Sequence, residues 1–145
     1  MLWLTRIRSH SMAPTLRDGS LALTRSLGRS TPIRRGDLVI VDARASGEPM
    51  VKRIVGLPGE VVAIRAGRVS IDGRALAEPY ASPSVFSDTY RVPPGHYFLL
   101  GDNRDASSDS RTWRNPYVPR EALLGRILGR PWTRQTQQLT HSRQR

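Results

Sequence analysis

A short segment near the N-terminus has the residue types of a presented nucleophile. Residues 9–16 read SHSMAPTL, so a single residue separates Ser9 from Ser11. In an extended segment both hydroxyls point to the same side, and Pro14 stiffens the chain just beyond them. A serine hydroxyl attacks a carbonyl carbon effectively only when a base removes its proton. The sequence must therefore also supply a base.

The candidate base is the one lysine of the chain. Among 23 Lys and Arg residues only Lys52 is a lysine, and it lies in the largely apolar residues 50–55. Arginine keeps its proton in proteins, whereas a buried lysine can lose it, so a position that needs a neutral amine requires lysine. The count alone favours the alternative that Lys52 is an ordinary surface lysine left by chance. The rival base is His10, but a direct neighbour of Ser11 points to the opposite face of an extended segment.

The composition fits one domain and excludes several kinds of site. The 145 residues suffice for a single core, and 11 Pro with 12 Gly favour short strands and turns over long helices. The chain has no Cys, which excludes disulfides and thiolate metal ligands. Its three His are scattered without the spacing of metal ligands. We therefore predict no metal and no other cofactor.

The net charge of +11 favours an anionic neighbour, either nucleic acid or a membrane surface. The charge is spread along the chain, which also fits a solvated basic surface. A nucleic-acid-binding β-domain would interleave aromatic residues with Arg on one face, and the three Trp, four Tyr and two Phe form no such stripe. We predict no nucleic acid partner. No apolar run approaches the roughly 18 residues that span a bilayer, so we expect no transmembrane helix or signal peptide in the chain as given.

Short apolar segments between turn residues predict an all-β domain. The expected strands are residues 20–24, 38–41, 50–56, 60–65, 68–72 and 96–100. Residues 60–72 form a predicted hairpin, and residues 121–128 a turn followed by a strand. A flexible connector is expected at 43–49, and irregular structure at 78–95 and 112–120. The domain is assigned to residues 1–132, and residues 133–145 to a disordered basic tail.

Four motifs resemble, in order, the conserved boxes of bacterial type I signal peptidases. They are SHSMAPTL at 9–16, GDLVIV at 36–41, VKRIVGLPGE at 51–60 and GDNRDASSDSR at 101–111. The sole lysine falls in the third motif, and the resemblance extends from about residue 9 to about residue 131. It implies a serine endopeptidase that cuts signal peptides from exported precursors by a Ser–Lys dyad.

Roles for the residues of the first and third motifs follow from the resemblance by position. Ser11 matches the nucleophile, and Lys52 matches the general base. The Ser9 hydroxyl and the Ser11 backbone N–H match the two donors of the oxyanion hole. Some relatives carry glycine at the Ser9 position, so the hydroxyl is a feature of this sequence. The alternative interpretation is that Ser9 is a strand residue whose hydroxyl is bonded to solvent.

The fourth motif matches residues that support the dyad. Ser107 matches the serine that orients the lysine amine. We expect Asp102 to pair with Arg53 and Asp109 to pair with Arg111, which would hold this loop against the Lys52 strand. Without the other motifs, the same loop would be interpreted as a solvated, charge-balanced turn.

The resemblance also implies a partner and a location. Substrates would be precursors with small residues at the first and third positions before the cut, and the enzyme would be a membrane-associated monomer with an extracytoplasmic catalytic domain. Family members normally carry N-terminal transmembrane helices, whereas only eight residues precede Ser9 here. Either the start lies upstream, or the domain docks through its own surface, with Leu2, Trp3 and Leu4 as candidates. The large β-rich insertion of some relatives should be mostly absent.

Two other peptidase functions fit the same motifs. A dedicated maturation protease would process one or a few precursors, for example of a metalloenzyme. A self-cleaving repressor-type peptidase also uses Ser and Lys, but it needs an attached DNA-binding domain, for which 145 residues leave no room.

Overall fold

The computed structural model describes residues 1–132, which fold into two antiparallel β-sheets. The strands are β1 (Leu2–Arg6), β2 (Leu21–Ser26), β3 (Leu38–Val41), β4 (Met50–Gly56), β5 (Val61–Arg65), β6 (Arg68–Ile71), β7 (Arg74–Ala75), β8 (Asp88–Arg91), β9 (His96–Leu100), β10 (Val118–Pro119) and β11 (Leu123–Trp132). The helical turns are α1 (Ala43–Ser46) and two 3₁₀ turns (Arg104–Ala106 and Arg120–Ala122). The all-β prediction is confirmed. The tail predicted at 133–145 lies outside the described residues.

The order of the strands brings two distant motifs together. The larger sheet runs β1-β2-β11-β3-β4-β9-β10, and the smaller runs β7-β6-β5-β8. All four strands of the smaller sheet lie between β4 and β9 in the chain, yet β4 and β9 pair directly, with Arg53 opposite Leu100. The strand that carries Lys52 therefore lies beside the strand that leads into the 101–111 loop.

Buried apolar side chains join the two sheets and anchor the serine segment. One cluster contains Val62 and Phe98, and a Cβ added to Gly56 would lie 2.6 Å from Val62 Cγ2 and 2.9 Å from Phe98 Cβ. Only glycine at position 56 allows the two sheets to approach this closely. Another cluster packs Met12 and Leu16 against the larger sheet. Burying each such side chain contributes about 1.5–3 kcal/mol, which fixes the serine segment on the sheet.

The expected hairpin at 60–72 and the strand after residue 121 are both present, as β5–β6 and β11. Other elements were not predicted from the sequence. The edge strand β1 pairs with β2, and β8 pairs with β5 inside the segment expected to be irregular. Because β8 reads DTYR and has no apolar alternation, its pairing with β5 decides its conformation. The expected connector contains α1, which begins where the Asp42 carboxylate accepts the Arg44 N–H at 2.9 Å.

Candidate active site

The serine segment forms a turn, not the extended geometry considered from sequence. The Ala13 N–H donates to the His10 carbonyl at 3.1 Å, and the Leu16 N–H donates to the Met12 carbonyl at 2.9 Å. Met12 and Leu16 are buried, so the turn is anchored on its far side. His10 is exposed. The two backbone hydrogen bonds hold the segment in this turned conformation.

Ser11 and Lys52 meet across 41 residues of sequence. The Lys52 Nζ donates a hydrogen bond to Ser11 Oγ at 2.7 Å. Ser11 is 5% exposed and Lys52 is 2% exposed. The amine has no second hydrogen-bond partner among residues 1–132. The contact places a candidate base within proton-transfer distance of a candidate nucleophile.

Burial changes the protonation of the Lys52 amine. The pKa of Lys52 is lowered from 10.5 to about 8, chiefly by desolvation and to a smaller extent by the nearby Arg111 guanidinium. The carboxylates of Asp109 and Glu48 oppose this shift and raise the pKa. In the sheet, Lys52 lies opposite the fully buried Val39. The environment therefore lets a substantial fraction of the amine be neutral in mildly alkaline solution, and only the neutral amine can accept a proton.

Ser9 lies directly beside the nucleophile. The Ser11 backbone N–H donates to Ser9 Oγ at 3.0 Å. The hydroxyl and the amide N–H are thus adjacent, as two donors to a single oxyanion must be. To serve an oxyanion, the amide N–H must exchange its bond to Ser9 Oγ for a bond to that oxygen.

The ion pairs expected in the 101–111 loop are both present. Arg53 donates to Asp102 through Nε to Oδ1 at 2.8 Å and through Nη2 to Oδ2 at 2.7 Å. Arg111 donates to Asp109 through Nε to Oδ1 at 2.8 Å and through Nη2 to Oδ2 at 2.9 Å. Both carboxylates are fully buried. Such bidentate pairs fix orientation as well as charge. The Arg53–Asp102 pair therefore holds the loop beside β4, and the Arg111–Asp109 pair fixes the conformation within the loop.

The hydrogen bond expected between Ser107 and the Lys52 amine is not present among the described residues. The Ser107 hydroxyl instead donates to Asp109 Oδ2 at 2.8 Å, because an ionised carboxylate is the stronger acceptor. Ser107 still lies against the nucleophile turn. A Cβ added to Gly101 would lie 2.0 Å from Ser107 Oγ and 2.7 Å from the Ser11 carbonyl oxygen. Glycine at position 101 is what allows this close packing.

Two residues that hold the nucleophile turn were missed in the sequence. The Asn103 backbone N–H donates to the Ser11 carbonyl at 2.9 Å, and Asn103 Nδ2 donates to the His10 carbonyl at 3.0 Å. The Thr15 hydroxyl donates to Asp102 Oδ2 at 2.6 Å. Both residues lie inside the quoted motifs, but spacing along the chain does not reveal which atoms a side chain will meet.

A cleft of about 500 Å³ opens over Ser11 and Lys52. One wall comes from the end of β1 and the residues that follow it, and the other from the start of β4 and the residues before it. Its apolar lining includes Ile7, Ile40 and Val51. An apolar cleft with a few convergent polar groups is typical of a binding site. Within residues 1–132, no group of three or more His, Asp or Glu side chains is arranged to hold a metal ion.

The chain is similar to known signal peptidases. The family model described as "Signal peptidase, peptidase S26" matches residues 2–132. Signal peptidase I of Leptolyngbya laminosa is 36% identical over 137 residues, which cover 87% of this chain and 66% of that protein. Probable signal peptidase I-2 of Synechocystis is 38% identical over 135 residues, covering 87% of this chain and 61% of that protein. The chain thus spans less than two thirds of the length of either relative.

A solved structure shows the same likeness. The crystal structure of a signal peptidase I from Enterococcus faecalis V583 matches with a TM-score of 0.59 and 29% sequence identity. The match covers 68% of this chain and 98% of that one.

Proposed function

The chain belongs to the signal peptidase family, peptidase S26, and from that premise we propose that it is a serine endopeptidase that cuts signal peptides from exported precursors. The observation that carries the proposal is the 2.7 Å hydrogen bond between Lys52 Nζ and Ser11 Oγ. The pair is buried at a cleft, and the pKa of the amine is lowered to about 8. These are the conditions that a lysine base and a serine nucleophile require.

The proposed reaction has two halves. Neutral Lys52 accepts the Ser11 hydroxyl proton as Oγ attacks the scissile carbonyl carbon, and the carbonyl oxygen becomes an oxyanion. That oxygen accepts hydrogen bonds from the Ser11 N–H and the Ser9 hydroxyl. The protonated Lys52 then gives its proton to the leaving amine, which breaks the C–N bond and leaves an ester on Ser11. In the second half, Lys52 accepts a proton from water as the water oxygen attacks the ester carbon. Protonated Lys52 then returns that proton to Ser11 Oγ as the Oγ–C bond breaks, which releases the acid and restores the serine and the neutral amine.

In the proposed mechanism, side chains of the 101–111 loop influence the pKa of Lys52. The Asp109 carboxylate raises the pKa of Lys52 and so opposes the effect of burial, while its pairing with Arg111 holds it in place. Ser107 donates to the same carboxylate, so we propose that it influences the amine through Asp109. A direct bond from Ser107 to Lys52 during the reaction stays a prediction.

The proposed base sets the pH dependence of activity. Below pH 8 Lys52 is mostly protonated and cannot accept the Ser11 proton, so kcat/KM should rise about tenfold per pH unit and level off above about pH 8. The measurement is kcat/KM for a peptide substrate from acid to alkaline pH. A flat profile across that range would exclude Lys52 as the base.

Substrate selection is tested with a precursor whose signal peptide ends in Ala-Xaa-Ala. We expect one cut after the second Ala, identified by mass spectrometry of the new N-terminus. The matched control is the same precursor with Leu in place of the Ala before the cut, which should resist cleavage. No cut in the Ala-Xaa-Ala precursor, or equal cleavage of both, would contradict the proposal. Cleavage of only one precursor among several would favour a dedicated maturation protease.

We further propose that the domain docks on an anionic bilayer on the extracytoplasmic side, through the outer face of β1 and β2. Among residues 1–132 the structure contains no helix of the length and apolar character needed to cross a membrane. Leu2 and Leu4 on β1 are 53% and 64% exposed, and Leu23, the partner of Leu4 on β2, is 42% exposed. The exposed Arg25 lies opposite Leu2. Exposed leucines beside a cation, in a chain of net charge +11, fit an anionic lipid surface.

Trp3, a docking candidate from sequence, is partly buried and packs against the core. Side chains alternate along β1, so Trp3 points away from the face that Leu2 and Leu4 share. It packs against the cluster containing Ile7 and Ile127. Its ring atoms lie 3.0 and 3.1 Å from the position of a Cβ on Gly125. Replacing Trp3 would therefore disturb the core rather than report on docking.

The docking face is tested by co-sedimentation with anionic vesicles. We expect the protein to pellet at low salt, to be released by added salt, and to bind at least about tenfold more weakly after Leu4→Ser and Leu23→Ser together, because the apolar contact is lost. The matched control is Val85→Ser, which removes a side chain that is 90% exposed outside β1 and β2. Absence of pelleting, or equal weakening by Val85→Ser, would defeat docking through this face.

A further inference from the structure

We propose that Thr15 is a positioning residue of the Ser–Lys site, which holds the turn carrying Ser11 against the buried carboxylate of Asp102. The inference rests on the proposed peptidase function. The Thr15 hydroxyl would act on the nucleophile through the backbone of the turn and not through contact with the substrate.

The hydrogen bond from Thr15 connects two segments that lie far apart in the sequence. Thr15 Oγ1 donates to Asp102 Oδ2 at 2.6 Å, across 87 residues. The distance is that of a hydroxyl bonded to an ionised carboxylate, which is about twice as strong as a neutral hydrogen bond. Thr15 is half-buried, and Asp102 is fully buried, so water competes little for this carboxylate.

Asp102 carries the connection onward to the base. Its two carboxylate oxygens also accept hydrogen bonds from Arg53, which directly follows Lys52 in β4. Arg53 is held in turn by the Gly36 carbonyl at 3.0 Å and by the ring of Tyr80, whose centroid lies 3.8 Å away. One carboxylate therefore joins the turn of the nucleophile to the strand of the base.

The turn is held at both ends. At its start, the Asn103 N–H donates to the Ser11 carbonyl, and at its end the Thr15 hydroxyl donates to Asp102. Between these points, the Asp102 N–H contacts Met12 Sδ at 3.4 Å. Loss of the Thr15 bond would free the end of the turn. Because a misplacement of about 1 Å can lower a rate by about 10²-fold, a small shift of Ser11 Oγ relative to Lys52 Nζ would be visible in kcat.

The decisive variants are Thr15→Val and Thr15→Ser. Valine keeps the branched shape and removes the hydroxyl, whereas serine keeps the hydroxyl and removes the methyl group. For Thr15→Val we expect kcat to fall about tenfold with KM within about twofold and the pH profile unchanged, and for Thr15→Ser we expect most of kcat to return. The matched control is Thr31→Val, which removes a hydroxyl that accepts the Gly28 N–H at 3.1 Å, outside the cleft. It should leave kcat unchanged.

A second readout separates this inference from the proposed substrate. The rate at which an activated ester, p-nitrophenyl acetate, acylates Ser11 is measured as nitrophenolate release, with Ser11→Ala subtracted as background. This rate should fall in Thr15→Val as kcat does, even if no signal peptide is cut. Unchanged kcat and acylation in Thr15→Val, or a lowered melting temperature with wild-type rates, would overturn the positioning role. A wild-type protein that acylates but cuts no precursor would refute the proposed substrate alone, and one that does neither would refute the dyad and Thr15 together.

Discussion

Ser11→Ala, Lys52→Ala and Lys52→Arg should each lower kcat by at least about 10³-fold, because the nucleophile and its base act as one unit. Ser11→Ala removes the attacking oxygen. Lys52→Ala removes the acceptor of its proton, and Lys52→Arg replaces that acceptor with a guanidinium that stays protonated. The measurement is single-turnover cleavage of an Ala-Xaa-Ala precursor, with folding checked by circular dichroism.

Lys52→Met is the cleanest control for folding in this series. Lys52 is 2% exposed, so alanine leaves a cavity and arginine places a permanent charge in a buried site. Methionine fills a similar volume without charge and cannot accept a proton. It should therefore fold at least as well as the wild type and be as inactive as Lys52→Ala. Substantial turnover by either Lys52→Arg or Lys52→Met would show that another group removes the Ser11 proton.

Ser9→Ala should lower kcat by about 10²–10³-fold with little change in KM, because an oxyanion donor acts mainly in the transition state. In the substrate-free structure, Ser9 Oγ accepts the Ser11 N–H at 3.0 Å. Alanine at position 9 leaves that N–H free for the oxyanion but removes the second donor. The loss of the Ser9 hydroxyl should outweigh the freeing of the Ser11 N–H, because this N–H is then the only one of the two donors left to stabilise the oxyanion.

The control for Ser9→Ala is Ser9→Thr, which keeps a hydroxyl at the same position and should retain much of the activity. Both variants are compared by kcat and KM on one precursor. If Ser9→Ala cleaves as fast as the wild type, the oxyanion is stabilised by other donors, and Ser9 is a solvated residue beside the nucleophile. A rise in KM at constant kcat would instead assign Ser9 to substrate binding.

Local sequence determined which residue types are available for chemistry and several strands of both sheets. A single lysine within an apolar segment and two serines at spacing two suggested a candidate base and nucleophile. The resemblance of four motifs to signal peptidases was needed to assign those roles and to expect the two ion pairs. The β5–β6 hairpin and β9 were also predictable, because their apolar spacing and turn residues are local properties. The ion pairs Arg53–Asp102 and Arg111–Asp109 lie where the motifs suggested.

The tertiary structure decided the contacts and the energies. Spacing in the chain does not predict that Ser107 bonds Asp109, that Thr15 bonds Asp102, or that Trp3 faces the core. The pKa of Lys52 falls to about 8 chiefly because the surrounding elements remove water from its amine. Its 2.7 Å contact with Ser11 depends on the sheet and on the turn anchored by Met12 and Leu16. Burial and orientation arise only when distant segments pack, so residue type sets which chemistry is possible and packing sets whether the groups meet in the right protonation state.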